Sequence, residues 1–312
     1  MHSRKSRQTR NIRARCRSLD NPGKALPRHA VWTGDCHELL RLLPKATKFD
    51  LVVASPPYNL GKEYESRASF KKYLRMQADL IEELVPRVKM NGSLCWQVGN
   101  YVENGFIEPL DIHLHPLFSE HGLILRNRII WRFGHGLHCK RRFSGRYEVV
   151  LWYTRSENYV FNLDSVRIPS KYPGKRNSRG VYTGHPSGRK NPEDVWDIPN
   201  VVGNHREKTI HPCQFPVGLI ERLILALTNA RGLVFDPFCG VGSAGVAAAI
   251  HARRFLGAEC VRSYAAIARR RISAALCGEA DYRPHDQPIY DHRKSKLSVL
   301  PHSRAATVTR SR

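Results

Sequence analysis

The sequence lacks three features that define large classes of proteins. No run approaches the roughly 18 consecutive apolar residues of a membrane-spanning helix. The basic N-terminus is not followed by the apolar core of a signal peptide, so we expect none. The 8 cysteines include no pair at C-x-x-C spacing, which argues against a zinc site and against a disulfide framework. We therefore expect a reduced cytosolic protein that holds no metal.

Acidic residues are also scarce. The chain has 51 Lys and Arg against 27 Asp and Glu, a formal charge of +24. Such an excess is typical of proteins that bind a polyanion, because neutralising phosphates releases counterions and drives association with nucleic acid. Part of the excess falls in residues 1–28 and 281–312, which have no hydrophobic periodicity. We expect both stretches to be disordered basic tails that bind nucleic acid without sequence preference.

The most informative segment is Ser55-Pro56-Pro57-Tyr58-Asn59, which follows the apolar run 51–54. The run is short and uncharged, as in a strand that is buried on both faces of a parallel sheet. Two consecutive prolines prevent both helix continuation and strand pairing, so the chain must leave the sheet there. Ser55 and the Pro56 carbonyl are thus predicted at the carboxyl end of a strand, where open α/β sheets bind ligands. With the ring of Tyr58, they suit a flat ring that bears an exocyclic amine.

A second predicted strand, 232–235, leads into Asp236-Pro237-Phe238-Cys239-Gly240-Val241-Gly242-Ser243 and then into an apolar stretch, 244–250, that predicts a helix. A strand, a glycine turn and a helix N-terminus form a cradle that a ligand can approach closely. An acid before the turn suits the ammonium group of an amino acid better than a pyrophosphate. A third strand, 255–259, ends in Glu259, and acids at this place commonly accept hydrogen bonds from ribose hydroxyls.

These two motifs, in this order, resemble those of the S-adenosylmethionine-dependent DNA amino-methyltransferases of the permuted beta group. The resemblance covers about Val31 to Ile272. It implies an α/β fold with a doubly wound, mostly parallel sheet of the Rossmann-like, circularly permuted class I methyltransferase type. The methyltransferase domain would span 29–280, with a target-recognition region inserted at about 137–210. The cofactor would be S-adenosylmethionine, and the setting the cytosol of a bacterium or archaeon, close to the nucleoid.

The resemblance also implies roles for residues on the cofactor side. The methionine part of the cofactor would be held by residues of the glycine turn, namely Asp236, Phe238, Gly240 and Gly242. Glu259 would hold the ribose, and Asp35, which ends a strand predicted over 30–35, would lie near the adenine. Asp35 would serve equally well as the N-cap of the helix predicted over 36–43. Residues 211–216, with a helix predicted over 217–227, match the family's other cofactor-side motif.

The catalytic residues implied by the resemblance are Ser55, Pro56, Pro57 and Tyr58. An exocyclic amino nitrogen is a poor nucleophile because its lone pair is delocalised into the ring. Hydrogen bonds to Ser55 and to the Pro56 carbonyl would make it more tetrahedral and orient it toward the methyl group. The base must leave the duplex to reach such a pocket, where Tyr58 would stack on it. Cys213 has the Pro-Cys-Gln setting of a carbon-5 methyltransferase nucleophile but precedes the glycine motif, so we interpret it as a packing residue.

A basic segment lies between the two motifs. From 165 to 192 the chain has seven Lys and Arg and no acid, with Tyr172 and Tyr182 interleaved. This composition predicts loops that lie on the phosphate backbone of double-stranded DNA and reach base edges. A solvated insertion loop is the alternative. The predicted DNA-binding residues, which include a second basic cluster nearby, are Lys140, Arg141, Arg142, Lys171, Lys175, Arg176, Arg179, Arg189 and Lys190.

The first motif position bears on the target base. Adenine enzymes of the family usually carry Asp there and cytosine-N4 enzymes often carry Ser, so Ser55 favours cytosine N4 over adenine N6. Protein-glutamine and RNA methyltransferases use similar motifs, but the permuted order and the inserted basic segment argue against them. A catalytically inactive DNA-binding protein is a further alternative, which the intact motifs disfavour. A cognate restriction endonuclease is a partner that the resemblance suggests.

Four further elements are predicted from the sequence pattern. Apolar residues at helical spacing predict a helix over 70–88 that ends near Asn91-Gly92. A strand is predicted over 93–99. Two more strands, over 123–133 and 147–154, are expected to form an antiparallel pair that closes the sheet.

Overall fold

The computed structural model describes residues 16–19, 26–59, 61, 67–103, 105–136 and 138–289. The strands are β1 (Cys16–Ser18), β2 (His29–Thr33), β3 (Phe49–Ala54), β4 (Val88–Val98), β5 (Asn100–Glu103), β6 (Phe106–Pro109), β7 (Ile124–Arg132), β8 (Tyr147–Thr154), β9 (Ile168–Pro169), β10 (Arg189–Lys190), β11 (Val195–Asp197), β12 (Leu233–Asp236) and β13 (Arg254–Glu259). The helices are α1 (Cys36–Leu42), α2 (Phe70–Leu84), α3 (Leu110–Ser119), α4 (Val217–Leu227), α5 (Ser243–Ile250) and α6 (Arg262–Leu276). None of these helices is long and apolar enough to span a membrane.

Nine of the strands form one sheet in the order β1-β2-β13-β12-β3-β4-β8-β7-β11. Every neighbouring pair from β1 to β4 in this order is parallel, β8 is antiparallel to both β4 and β7, and β11 is parallel to β7. The mostly parallel sheet and the antiparallel pair predicted from the sequence are therefore confirmed. Strands β3 and β12 are neighbours in the sheet although they are far apart in the sequence.

Helices cover both faces of the sheet, as a doubly wound fold requires. Strand β3 shows the division, because its alternate side chains enter two separate cores. Leu51 and Val53 pack among residues of α4, α5 and α6, whereas Val52 and Ala54 pack among residues of α1, α2 and α3. All four side chains are at most 1% exposed. A strand with no polar face must be central, which fixes the Ser55 loop at the middle of the carboxyl edge.

The region between α2 and β4 differs from the prediction. The helix ends at Leu84 because Pro86 opens a single 3-10 turn over Val85–Arg87. The helix stop predicted at Asn91-Gly92 is wrong, since both residues lie within β4. A β-carbon at position 92 would be 2.9 Å from the carbonyl oxygen of Asp50, so glycine permits this close approach of β4 to β3. The register of the two strands shifts at the same place.

Both predicted tails include residues of the folded domain, so their boundaries are corrected. Cys16–Ser18 forms β1, the outermost parallel strand, and Cys16 is buried. At the other end, the carboxylate of Glu221 accepts the backbone N–H of His285 at 2.7 Å, and the carbonyl of His285 accepts from Arg222 at 2.7 Å. Strand pairing and buried hydrogen bonds thus hold stretches whose sequence has no periodicity. Most of the two predicted tails lies outside the described residues, namely 1–15, 20–25 and 290–312.

Candidate active site

Polar groups from four parallel strands meet at one edge of the sheet. Because parallel strands point the same way, their carboxyl ends lie side by side. In sheet order these ends carry Asp35 after β2, Glu259 at the end of β13, Asp236 at the end of β12 and Ser55 after β3. The two motifs that are far apart in the sequence therefore form one candidate site.

Asp236 is completely buried at the end of β12. Its Oδ1 accepts the backbone N–H of Phe238 at 3.0 Å, while Oδ2 is buried and has no hydrogen-bond partner among the described residues. Burial, and after it the charge of Glu259, raises the pKa of Asp236 to about 8. A buried carboxylate oxygen that lacks a donor fits the binding of a cation such as an ammonium group.

The turn after Asp236 has a backbone that glycine adopts without strain. Gly240 and Gly242 have φ values of 49° and 82°. Gly242 is the N-cap of α5, and a β-carbon at this position would be 2.9 Å from the β-carbon of Ala268 on α6. A β-carbon on Gly240 would be 3.3 Å from Nε2 of His211. The turn therefore packs closely on two sides, and the N-terminus of α5 lies at the carboxyl edge.

Glu259 and Asp35 each accept hydrogen bonds from backbone N–H groups. Glu259 accepts from Gly240 at 2.9 Å and from Val261 at 2.8 Å, and burial raises the pKa of its carboxyl. Asp35 is exposed and caps α1, where it accepts from two N–H groups of the first turn at 2.8 and 3.3 Å. The capping alternative for Asp35 thus holds in the structure, and its place near the cofactor stays a prediction.

The Ser-Pro-Pro-Tyr loop is fixed from two sides. The hydroxyl of Tyr58 donates to Oε2 of Glu148 on β8 at 3.3 Å, and the side-chain amide of Gln97 on β4 donates to the same oxygen. Asn59 has a φ of 60° and makes two side-chain hydrogen bonds to the backbone of Ala68, at 2.6 and 2.7 Å. These contacts hold the loop on which Ser55 lies, as a preorganised site requires.

Glu148 and Gln97 belong to the site although the sequence analysis did not select them. The available signal was a single carboxylate in the otherwise apolar strand predicted over 147–154. Burial raises the pKa of Glu148 to about 7, although hydrogen bonds from Tyr58 and Gln97 oppose the change. Burial, followed by the charge of Glu148, raises the pKa of Tyr58 well above its ordinary value, against hydrogen bonds with Ser55 and Gln97.

The segment before α4 covers the glycine turn. Ser243 on α5 donates to the carbonyl of Phe215 at 2.9 Å, and the buried Glu207 accepts the N–H of Val217 at 2.8 Å. Cys213 lies in this segment, and its N–H donates to Nδ1 of His211 at 3.2 Å. The packing role predicted for Cys213 is wrong, because its side chain is exposed on a turn. This turn is not the carboxyl end of a strand.

The predicted DNA-binding residues fall into two groups with different surroundings. The exposed group, called here the exposed cations, comprises Lys140, Arg141, Arg142, Lys171, Lys175, Arg176 and Arg179. Arg189 and Lys190 are instead half-buried in β10, where Arg189 donates to the Arg167 carbonyl at 2.8 Å and Lys190 pairs with Glu193 at 2.7 Å. Because their side chains are open to solvent, the exposed cations are the stronger candidates for contact with phosphates.

The sheet order, the acid followed by a glycine turn and the neighbouring Ser-Pro-Pro-Tyr loop together define a class I methyltransferase. Comparison with known proteins agrees. The model of the N6/N4 methyltransferase family, described as DNA methylase, matches residues 49–270. The type II methyltransferase M.BglII of Bacillus subtilis is 42% identical over 255 residues, which cover 80% of this chain and 69% of that protein.

Two further proteins that are similar to this chain have names that specify different target bases. The DNA adenine methyltransferase YhdJ of Escherichia coli K12 is 30% identical over 251 residues, which cover 78% of this chain and 82% of that protein. The solved structure of the PvuII DNA methyltransferase, described as cytosine-N4-specific, has a TM-score of 0.64 at 20% identity. The likeness covers 85% of this chain and 98% of that one, and it concerns the fold.

The chain therefore belongs to the N6/N4 DNA methylase family. It is a DNA amino-methyltransferase, its substrate is DNA and its methyl donor is S-adenosylmethionine. The fold class, the enzyme class and the cofactor predicted from the sequence are confirmed. Membership does not distinguish cytosine N4 from adenine N6, because both are exocyclic amino groups and the family includes both reactions.

Proposed function

We propose that this enzyme methylates N4 of cytosine at a specific sequence in double-stranded DNA. The observation that carries the proposal is Ser55, a neutral hydroxyl at the first position of the motif loop. Adenine enzymes of the family usually have an aspartate there. A cytosine that enters the site would place its amino group between the Ser55 hydroxyl and the Pro56 carbonyl. Both groups accept hydrogen bonds from an amine and leave its lone pair free to attack.

The cofactor residues are assigned on the geometry of the glycine turn. Oδ2 of Asp236 would accept a hydrogen bond from the ammonium group of the methionine part, whose charge would pair with the ionised carboxylate. Gly240 and Gly242 supply the positive φ angles that the turn requires, and Phe238 borders the same turn. S-adenosylmethionine supplies a methyl group on a positively charged sulfur.

The nucleoside end of the cofactor is assigned to two acids beyond the turn. Glu259 would accept hydrogen bonds from ribose hydroxyls through the lone pairs that its two backbone bonds leave over. Asp35, one strand further along the sheet edge, would lie on the adenine side while it caps α1. Support for this order comes from the neighbouring positions of β12, β13 and β2.

The catalytic loop acts by positioning. Tyr58 would stack on the flipped base, a contact worth about 1–3 kcal/mol per base on an aromatic ring. Pro56 and Pro57 fix the backbone φ angles of the loop, so that the carbonyl of Pro56 keeps its direction. Ser55 and this carbonyl would then hold the amine in line with the methyl group.

DNA would be held by the exposed cations of a target-recognition region at about 137–210, inserted in the methyltransferase domain. The exposure of these cations supports the assignment. The enzyme would act on chromosomal DNA in the cytosol of its host. A cognate restriction endonuclease is proposed as its functional partner, since the type II methyltransferase M.BglII is 42% identical.

Adenine N6 is the second candidate. It is favoured by the 30% identity to the Escherichia coli DNA adenine methyltransferase over most of both chains. A hydroxyl at position 55 can accept a hydrogen bond from either amine, so the chemistry of the loop does not forbid adenine.

The proposal is tested by expressing the enzyme in a bacterial host that lacks DNA methylation and sequencing the host DNA with single-molecule detection of modified bases. We expect N4-methylcytosine at one recognition sequence, and none with Ser55→Ala or Tyr58→Ala. N6-methyladenine at one sequence would replace the base assignment and leave the site assignment intact. Unmodified DNA from cells that contain folded, cofactor-binding enzyme would contradict the proposal.

A further inference from the structure

Methyl transfer to an amine leaves a positive charge on the nitrogen, and the Ser-Pro-Pro-Tyr loop has no charged side chain to balance it. The nitrogen forms a bond to the methyl carbon, the methyl–sulfur bond breaks, and its electron pair stays on sulfur. The sulfur becomes neutral, and the nitrogen carries a positive charge until it loses one proton. Ser55, the loop residue proposed to contact the nitrogen, is neutral. The proton must therefore pass to water or to a carboxylate elsewhere in the site.

The structure contains such a carboxylate at the end of a chain of hydroxyl groups. Burial raises the pKa of Tyr58, and interaction with the Ser55 side chain is among the causes that hold this pKa down, which places the two hydroxyls near each other. The hydroxyl of Tyr58 in turn donates to Oε2 of Glu148 at 3.3 Å. Gln97 donates to the same oxygen and holds the carboxylate in place. The chain begins at the proposed amine contact and ends at an acid on β8.

Tyr58 and Glu148 are packed closely against Gly99. A β-carbon on Gly99 would be 3.1 Å from the ring of Tyr58 and 3.4 Å from Oε1 of Glu148. Glycine at this position therefore lets Tyr58 and Glu148 approach each other beside β4. The proton that Tyr58 passes on arrives at Oε2, the oxygen that accepts from Tyr58, and the protonated carboxyl can then donate back to the Tyr58 oxygen.

We propose that Glu148 is the terminal proton acceptor of the methyl-transfer site and acts through the hydroxyls of Tyr58 and Ser55. Ser55 takes the proton from the nitrogen and passes its own to Tyr58, which passes its own to Glu148. Glu148 then releases the proton to solvent before the next turnover. The proposal rests on the proposed function of the Ser55 loop. Because Glu148 does not contact the reacting atoms, it is a positioning residue and its test needs more than loss of activity.

The surroundings of Glu148 suit this role. Its raised pKa of about 7 makes it an acceptor near neutral pH that also gives the proton up again. Arg132 on β7 is paired in register with Tyr147, the neighbour of Glu148. The side chains of Arg132 and Tyr147 therefore lie on the face of the sheet opposite to that of Glu148. Arg132 also forms an ion pair with Asp197 on β11. Among the described residues, the titratable side chain that contacts Glu148 is Tyr58.

The test compares Glu148→Gln and Tyr58→Phe with wild type in single-turnover methylation at saturating cofactor, between about pH 6 and pH 9. Glutamine keeps the size of Glu148 and accepts the same hydrogen bonds, but it cannot take up a proton. Phenylalanine keeps the stacking ring of Tyr58 and removes the relay hydroxyl. Glu157→Gln is the matched control, because Glu157 lies beyond the other end of β8, is 79% exposed and pairs with Arg126.

We expect the wild-type rate to fall below about pH 7 as Glu148 becomes protonated. Glu148→Gln and Tyr58→Phe should be slower by about 100-fold or more, and neither should show the acidic limb. Glu157→Gln should match wild type. Carbon-13 NMR of the free protein should show one glutamate carboxyl that titrates near pH 7 and is missing from Glu148→Gln.

Three results would overturn the relay. Near-wild-type rates for Glu148→Gln and Tyr58→Phe, with Tyr58→Ala still inactive, would leave the proposed site intact and remove Glu148 from the reaction. An acidic limb that persists in Glu148→Gln would assign the titration to another group. Equal weakening of cofactor binding and DNA binding in Glu148→Gln would show a structural role. If Ser55→Ala and Tyr58→Ala are fully active, the proposed function itself fails, and the two failures are thereby distinguished.

Discussion

Oδ1 of Asp236 accepts the backbone N–H of Phe238 at 3.0 Å, whereas Oδ2 of the same carboxylate is buried without a hydrogen-bond partner among the described residues. The protein thus holds half of a buried carboxylate and leaves the other half for a ligand. Asp236→Asn preserves the size of the side chain and removes the charge. We expect it to weaken S-adenosylmethionine binding by about 100-fold or more, measured by calorimetry. Unchanged affinity would contradict the assignment of the methionine part to this turn.

Cofactor binding should also depend on pH through Asp236. Its pKa of about 8 in the free protein means that the carboxyl is mostly protonated at neutral pH. The ammonium group binds the carboxylate, so binding must release this proton, and affinity should rise as pH increases toward about 8. Calorimetry in buffers of different ionisation enthalpy should detect the released proton at neutral pH. Asp236→Asn should release none, and a wild-type enzyme that releases none would show that Asp236 is ionised before binding.

Gly242→Ala tests the glycine turn. Gly242 has a φ of 82°, and its added β-carbon would be 2.9 Å from the β-carbon of Ala268. We expect about 1–2 kcal/mol of destabilisation from backbone strain and about 1–3 kcal/mol more from overpacking. Gly180→Ala is the control, because Gly180 has a φ of 75° and nothing within 4 Å of its β-carbon position. Equal free energies of unfolding for the two variants in urea would show that the contact with α6 is unimportant.

The exposed cations are tested by replacing Arg176 and Arg179 with alanine. If both contact phosphates, DNA binding should weaken similarly for all sequences, and the slope of log affinity against log salt should fall by about 2. Cofactor affinity should not change. The control is Lys71→Ala with Arg75→Ala, two exposed residues of α2 outside the predicted interface, which removes the same charge. An equal change in salt slope for the control pair would indicate a nonspecific effect of net charge.

The parts of the site that are local in the sequence could be predicted from it. The strand before Ser55 was evident from its uninterrupted apolar residues, and the glycine turn from Asp236, Gly240 and Gly242, because strand ends and turns depend on adjacent residues. Glu148 could not be placed in the same way. It reaches Tyr58 through the pairing of β8 with β4, and such long-range register is not encoded in either strand alone.

Local signals also failed where tertiary contacts decided the conformation. Asn91-Gly92 has the composition of a helix stop, but Gly92 instead permits β4 to approach the carbonyl of Asp50. The partner of Gly92 lies on another element, and a sequence window does not contain it.

The central claim is that the Ser55 loop directs methylation to an exocyclic amine. The most direct measurement uses DNA methylated in vitro with isotope-labelled S-adenosylmethionine, digested to nucleosides and analysed by mass spectrometry. We predict labelled N4-methylcytosine from wild type and from Cys213→Ser, and almost none from Ser55→Ala. Labelled 5-methylcytosine from wild type, lost in Cys213→Ser and retained in Ser55→Ala, would contradict the claim and assign the reaction to carbon 5.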